Sequence, residues 1–106
     1  MVLNHQFYDS YHHIENISNP GGVLKKYSVV GNICETDTFA WDRKLNEVKE
    51  GDYLVFYNAG AYGFEMSSNY NSRFKPAEVL FKDGKATLIR KRDELQDLLR
   101  NQVEVL

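Results

Sequence analysis

The sequence predicts one mainly β domain, a β-barrel or sandwich-like fold with a single short helix near its C-terminus. Three observations predict it. Short β-branched and aromatic runs recur between clusters of Gly, Asn, Asp and Ser, the signature of strands joined by turns. An Asp83-Gly84 pair sits between two apolar runs, which marks a β-hairpin. Leucines at helical spacing occur only between residues 95 and 99. Packed strands with one helix are most economically a barrel or a sandwich, and 106 residues suit one domain with a modest core.

The elements follow in chain order. An N-terminal arm carries Phe7, Tyr8, Tyr11 and Ile14 among polar residues, and its aromatic content predicts a short strand or an ordered irregular segment. Ser18-Asn19-Pro20-Gly21-Gly22 is a cluster of turn formers and reads as a linker between the arm and the body. Tyr27-Ser28-Val29-Val30 is a strand, and Gly31 after it permits the backbone angles of a loop. Leu45 and Val48 lie among charges before a break at Gly51-Asp52. Tyr53-Leu54-Val55-Phe56-Tyr57 then reads as a strand apolar on both faces, hence central in its sheet.

Met66 to Ser72 is a polar connection of the kind that carries function when a rigid sheet holds it, or none. Ala77-Glu78-Val79-Leu80-Phe81 and Ala86-Thr87-Leu88-Ile89 are hairpin strands around a type I′ turn at Asp83-Gly84. Leu95, Leu98 and Leu99 share one face of a short helix, for which Asp93 is the expected cap with Gln96 three residues on. Val103 to Leu106 is either a final strand or a tail.

Composition narrows the function classes. Thirteen basic and 15 acidic residues give a net charge of -2, so the chain as a whole offers no basic footprint for nucleic acid. One cysteine cannot form an internal disulfide, no signal-peptide pattern opens the chain, and no apolar run approaches the roughly 20 residues needed to span a bilayer. A soluble cytoplasmic protein is the expectation.

Chemistry concentrates in two segments, Gly31-Asn32-Ile33-Cys34-Glu35-Thr36 and Asn58-Ala59-Gly60-Ala61-Tyr62. Cys34 is open to four readings: nucleophile, proton donor, metal ligand or buried filler. His5, His12 and His13 lack zinc-like spacing with it, and nothing specifies an oxyanion hole or an orienting third group. Glu35 and Asp37 offer negative charge to a cationic substrate group, or are solvated loop acids. Gly60-Ala61-Tyr62-Gly63 is no phosphate-loop motif, but a phenol there can donate to a phosphate oxygen.

Five ordered blocks carry a resemblance. They are Tyr8-Asp9-Ser10-Tyr11-His12, Val30 to Thr36, Gly51-Asp52 with Asn58 to Tyr62, Ser68-Asn69-Tyr70-Asn71, and Pro76-Ala77-Glu78-Val79. Together they resemble the C-terminal β-domain of the fold type III pyridoxal-phosphate-dependent decarboxylases, the ornithine, diaminopimelate and arginine family, with the diaminopimelate branch foremost. The resemblance implies residues 1–106 as one C-terminal β-domain, similar to that of alanine racemase, in an enzyme that decarboxylates meso-diaminopimelate to L-lysine. It implies pyridoxal 5′-phosphate as cofactor, and an N-terminal β/α barrel and a second protomer as partners. It further implies Cys34 as the catalytic proton donor to the neighbouring protomer, Glu35 on the distal ammonium of the substrate, Tyr8 on a substrate carboxylate and Tyr62 on the cofactor phosphate.

The chain departs from that family at three points. Asn4-His5-Gln6 replaces the Arg-Pro that precedes the family's Leu-Tyr pair, Thr38 stands where an aspartate is usual, and none of the eight lysines has the cofactor-lysine context. A barrel of about 250 residues does not fit. The expectation is therefore a fragment, a split subunit or a truncated product, without activity or covalent cofactor by itself. Two alternatives remain: a non-catalytic binding or regulatory module, and a decarboxylase for another diamine or carboxylated polyamine precursor.

Overall fold

The structure is a computed structural model and describes residues 11–33 and 38–105. Its elements are mainly strands: β1 (Ile14–Asn16), β2 (Leu24–Val30), β3 (Thr38–Asn46), β4 (Leu54–Phe56), β5 (Glu78–Lys82) and β6 (Lys85–Arg90). Two short helices, α1 (Gly60–Gly63) and α2 (Leu95–Leu99), and a 3-10 turn at Tyr70–Ser72 complete them. The mainly β expectation with a late helix holds. Closure does not appear among the described residues, where the strands pair antiparallel as three two-stranded sheets, β1-β4, β2-β3 and β5-β6. Two strands present only one ladder, so among the described residues each sheet keeps both outer edges unpaired by strands.

The core forms where β1, β3 and β4 meet. Ile14, Ala40 and Leu45 are buried, with Tyr27, Val29, Val48, Leu54 and Phe56 packed partly against them. Ala40 and Leu45 are five apart, an odd spacing that would point them to opposite faces of a regular strand. A bulge resolves this. Tyr27 pairs with Arg43 and Val29 with Ala40, so β3 carries an extra residue across that step, and Asp42 there has φ 51°. The extra residue resets the alternation and turns both side chains inward. This strand was not legible in the sequence because Trp41-Asp42-Arg43-Lys44 breaks the period-2 pattern.

β4 departs from its expected place. Its three residues are half-buried, but among the described residues it pairs only with β1 and is not central in a larger sheet. The 18–22 stretch also differs from a linker, because hydrogen bonds stitch it to the body. Asn16, buried at the end of β1, donates from Nδ2 to the carbonyls of Asn46 (3.4 Å) and Glu47 (3.1 Å) and to Asp52 Oδ2 (3.0 Å), while its Oδ1 accepts from the Ser18 amide (3.0 Å). Asn19 Nδ2 donates to the Glu47 carbonyl, Asn46 Nδ2 to the Asn19 carbonyl, and the Tyr53 amide to Ser18 Oγ. At Gly22 a Cβ would lie 2.3 Å from Asn19 Nδ2, so a larger residue would displace the Asn19 side chain from the Glu47 carbonyl.

The hairpin forms as its sequence predicts. Asp83 and Gly84 have φ 51° and 74°, the two positive angles of a type I′ turn, and Glu78 pairs with Arg90 across it. α2 also forms, but its cap is Glu94, in a reciprocal capping box with Asp97. Asp93, the expected cap, instead accepts from Asn69 Nδ2 and the Lys75 amide, both at 2.9 Å. Its carboxylate is committed to holding the 69–75 loop. Residues 103–105 form no strand, which favours the tail; Leu106 lies outside the described residues.

Candidate functional site

Tyr62 is the one expected site residue among those described. β4 delivers it: the Tyr57 amide donates to the His13 carbonyl at 2.8 Å, and Asn58 at φ 56° then turns the chain. The Gly63 amide closes a helical turn on the Ala59 carbonyl at 2.7 Å, and the Met66 amide bonds the Tyr62 carbonyl at 3.0 Å. This corner holds the backbone while leaving Tyr62 57% exposed. A Cβ built at Gly60 or Gly63 meets nothing within 4 Å, so packing does not require glycine at either position. An exposed tyrosine on a fixed turn has the chemistry to donate a hydrogen bond to a phosphate oxygen.

Cys34, Glu35 and Tyr8 lie outside the described residues, and their flanks can be placed. Val30 of β2 pairs with Thr38 of β3, so the segment carrying Cys34 and Glu35 joins two paired strands. One residue past that pair, the Phe39 ring meets Phe56 of β4, centroids 5.1 Å apart at 57°. Phe56 precedes Asn58 by two residues. A tilted aromatic contact therefore ties the strand leaving the Cys34 segment to the strand entering the Tyr62 corner. Sequence reasoning missed Phe39 because its partner is on another strand.

The chain just beyond Tyr8 is anchored on the same body. Arg43 donates from Nη1 to the His12 carbonyl at 3.1 Å, and its guanidinium lies 4.0 Å from the centre of the Tyr11 ring. His12 Nδ1 is 3.0 Å from the Tyr57 carbonyl. Tyr57 donates its hydroxyl to Glu15 Oε2 at 2.6 Å, and His13 Nε2 stands 3.4 Å from Glu15 Oε1. The Tyr57 hydrogen bond, aided by His13, holds the Glu15 carboxyl below its ordinary range, and Glu15 pushes the Tyr57 phenol up. This network positions β1 on β4.

Among the described residues no group of three or more His, Cys, Asp and Glu could hold a metal ion, and no helix is long and apolar enough to cross a membrane.

Known proteins match this chain. The family model described as pyridoxal-dependent decarboxylase, C-terminal sheet domain, matches residues 2–60. Diaminopimelate decarboxylase of Methanothermobacter thermautotrophicus is 50% identical over 103 residues, which are 95% of this chain and 24% of that one. A crystal structure of an Aquifex aeolicus protein superposes with a TM-score of 0.87 at 41% identity, covering 96% of this chain and 26% of that one. Diaminopimelate decarboxylase from M. jannaschii, solved in co-complex with L-lysine, gives a TM-score of 0.81 at 37% identity over 92% of this chain and 23% of its own. The chain thus spans about a quarter of the length of the relatives it matches.

Proposed function

We propose, since the chain belongs to the pyridoxal-dependent decarboxylase family and matches its C-terminal sheet domain, that residues 1–106 are that domain of a diaminopimelate decarboxylase. The observation that carries this reading is 50% identity to such an enzyme over 95% of the chain. The reaction would convert meso-diaminopimelate to L-lysine and carbon dioxide. The remaining three quarters of the relatives' length would correspond to the β/α barrel with the cofactor lysine, and a second protomer would complete the site. In that assembly the sheets would close into the barrel-like domain the sequence predicts, in the cytoplasm.

Pyridoxal 5′-phosphate, when bound, would supply an electron sink for the pair left on the substrate carbon when carbon dioxide departs. This chain's residues do the rest. Tyr62 donates its phenolic hydrogen to a phosphate oxygen of the cofactor, and the fixed turn around it limits the freedom lost on binding. Glu35 accepts a charge-assisted hydrogen bond from the distal ammonium, which selects substrates with a second amine. Tyr8 donates to a substrate carboxylate. Cys34 gives the proton that replaces the lost carboxyl group, a transfer that a thiol can make.

A chimera tests this reading: the 106 residues replace the C-terminal quarter of a relative's enzyme, and lysine formation from meso-diaminopimelate is followed. Turnover is expected, with loss of activity in Cys34→Ala and Glu35→Gln. A folded, cofactor-loaded chimera that turns over ornithine or arginine but not diaminopimelate would contradict the substrate assignment.

A further inference from the structure

We propose that the groove between the Phe64 turn, the 69–75 loop and the 90–100 segment is a binding site for a small multivalent oxyanion, a phosphoanhydride or a polycarboxylate. Nothing in the decarboxylase reading uses it. The groove is open to solvent along one side and has a volume of about 590 Å³, within the roughly 300–1,000 Å³ of small-molecule sites. Its cations come from three separate stretches: Lys75 from the loop, Arg90, Lys91 and Arg92 from the end of β6, and Arg100 from the end of α2. That convergence distinguishes it from a solvated run of charge, and it stands out in a chain whose net charge is -2.

Five cations share the groove with three carboxylates, and each carboxylate is already engaged. Asp93 accepts from Asn69 and the Lys75 amide, which hold its carboxyl below the ordinary range. Asp97 accepts from the Glu94 amide at 2.8 Å, and the Glu94 side chain accepts from the Asp97 amide in return. Arg90 pairs with Glu78 and lies over the Phe64 ring, 4.2 Å from its centre, with the Lys75 ammonium 5.4 Å from the same centre. Among the described residues, Lys91, Arg92 and Arg100 enter no ion pair. A monovalent ion would meet only part of this set against the fixed carboxylates. A ligand with several negative charges can bridge the cations from different stretches and gains several charge-assisted hydrogen bonds at once.

Titration of the isotopically labelled chain with sodium pyrophosphate and with citrate, followed through the backbone amides by NMR, tests this. Saturable shifts confined to residues 75, 90–93 and 100 are expected, and whichever anion binds tighter identifies phosphate or carboxylate as the preferred group. The double variant Lys91→Glu/Arg92→Glu is expected to weaken binding at least about tenfold, Arg100→Gln to weaken it less, and Lys26→Glu on β2 to leave it unchanged. Amide dispersion confirms that each variant is folded. Shifts that sodium chloride reproduces at matched ionic strength overturn the site. So does loss of pyrophosphate binding in the catalytically active chimera, which would make the groove a contact with the rest of the enzyme.

Discussion

Replacing Asn16 with alanine removes the side chain that ties β1 to the 46–52 segment. Asn16 is 4% exposed, and three of its bonds run to neutral backbone groups: the Asn46 and Glu47 carbonyls and the Ser18 amide. At about 1 kcal/mol net for each hydrogen bond, with the 3.4 Å contact worth less, the loss is roughly 2–3 kcal/mol. The additional contact to Asp52 Oδ2 makes this a lower bound. For a domain of this size the same loss lowers the melting temperature by roughly 10–20 °C. Asn16→Asp is expected to be at least as damaging at neutral pH, because it sets a second carboxylate beside Asp52. Urea unfolding followed by circular dichroism, with the urea slope unchanged, measures the effect. A change below about 0.5 kcal/mol would refute the assignment of Asn16 as the tie and move that role to Asn19 and Asn46.

Three further outcomes follow. Glu94→Ala is expected to fray α2 at a cost of about 1 kcal/mol, as for other lost caps, whereas Asp93→Ala leaves α2 formed and speeds hydrogen exchange of the Lys75 amide. Stability is expected to fall in acid. Asp52, bonded to the Lys49 amide and Asn16, and Glu47, bonded to Lys25, have carboxyls held below their ordinary values of 3.8 and 4.5. The unfolded chain therefore binds more protons, and this stability is complete above about pH 4.5 and lost as pH falls through the lowered values. Lys25 and Tyr57 are raised above 10.5 and 10.0, so their contribution is complete below pH 10 and lost at higher pH; a pH series of melting temperatures checks both limbs. In the active chimera, Tyr62→Phe should weaken cofactor retention about tenfold or more, measured by visible absorbance after dialysis, since a hydrogen bond to a charged group contributes ~1.5–3 kcal/mol.

The legible parts of this fold are those whose cause is local. Asp83-Gly84 specifies the hairpin because two adjacent positive φ angles are a property of those two residues, and Leu95, Leu98 and Leu99 specify α2 by spacing. β3 was hidden because its bulge at Asp42 breaks the alternation that marks a strand, and the bulge is recognised only against the pairing of β2. The exchange of caps from Asp93 to Glu94 has the same origin: the bonds that claim Asp93 come from Asn69 and Lys75, distant in sequence. At the candidate site, residue order alone left Cys34 open to four readings. The family resemblance singled out Cys34, Glu35, Tyr8 and Tyr62, and the structure added what order could not, the Phe39–Phe56 contact between the strands that flank the two candidate segments.

Hybrid dimers of the chimera test the proposed composite site most directly. One protomer carries Cys34→Ala, and the other keeps Cys34 but has its barrel cofactor lysine replaced; each homodimer is inactive. If Cys34 serves the neighbouring protomer, mixing and re-annealing the two restores about a quarter of the full activity on meso-diaminopimelate, because half the dimers are hybrid and one of their two sites is complete. Absence of recovery in dimers shown to have exchanged subunits would contradict the account and place Cys34 in its own protomer's site.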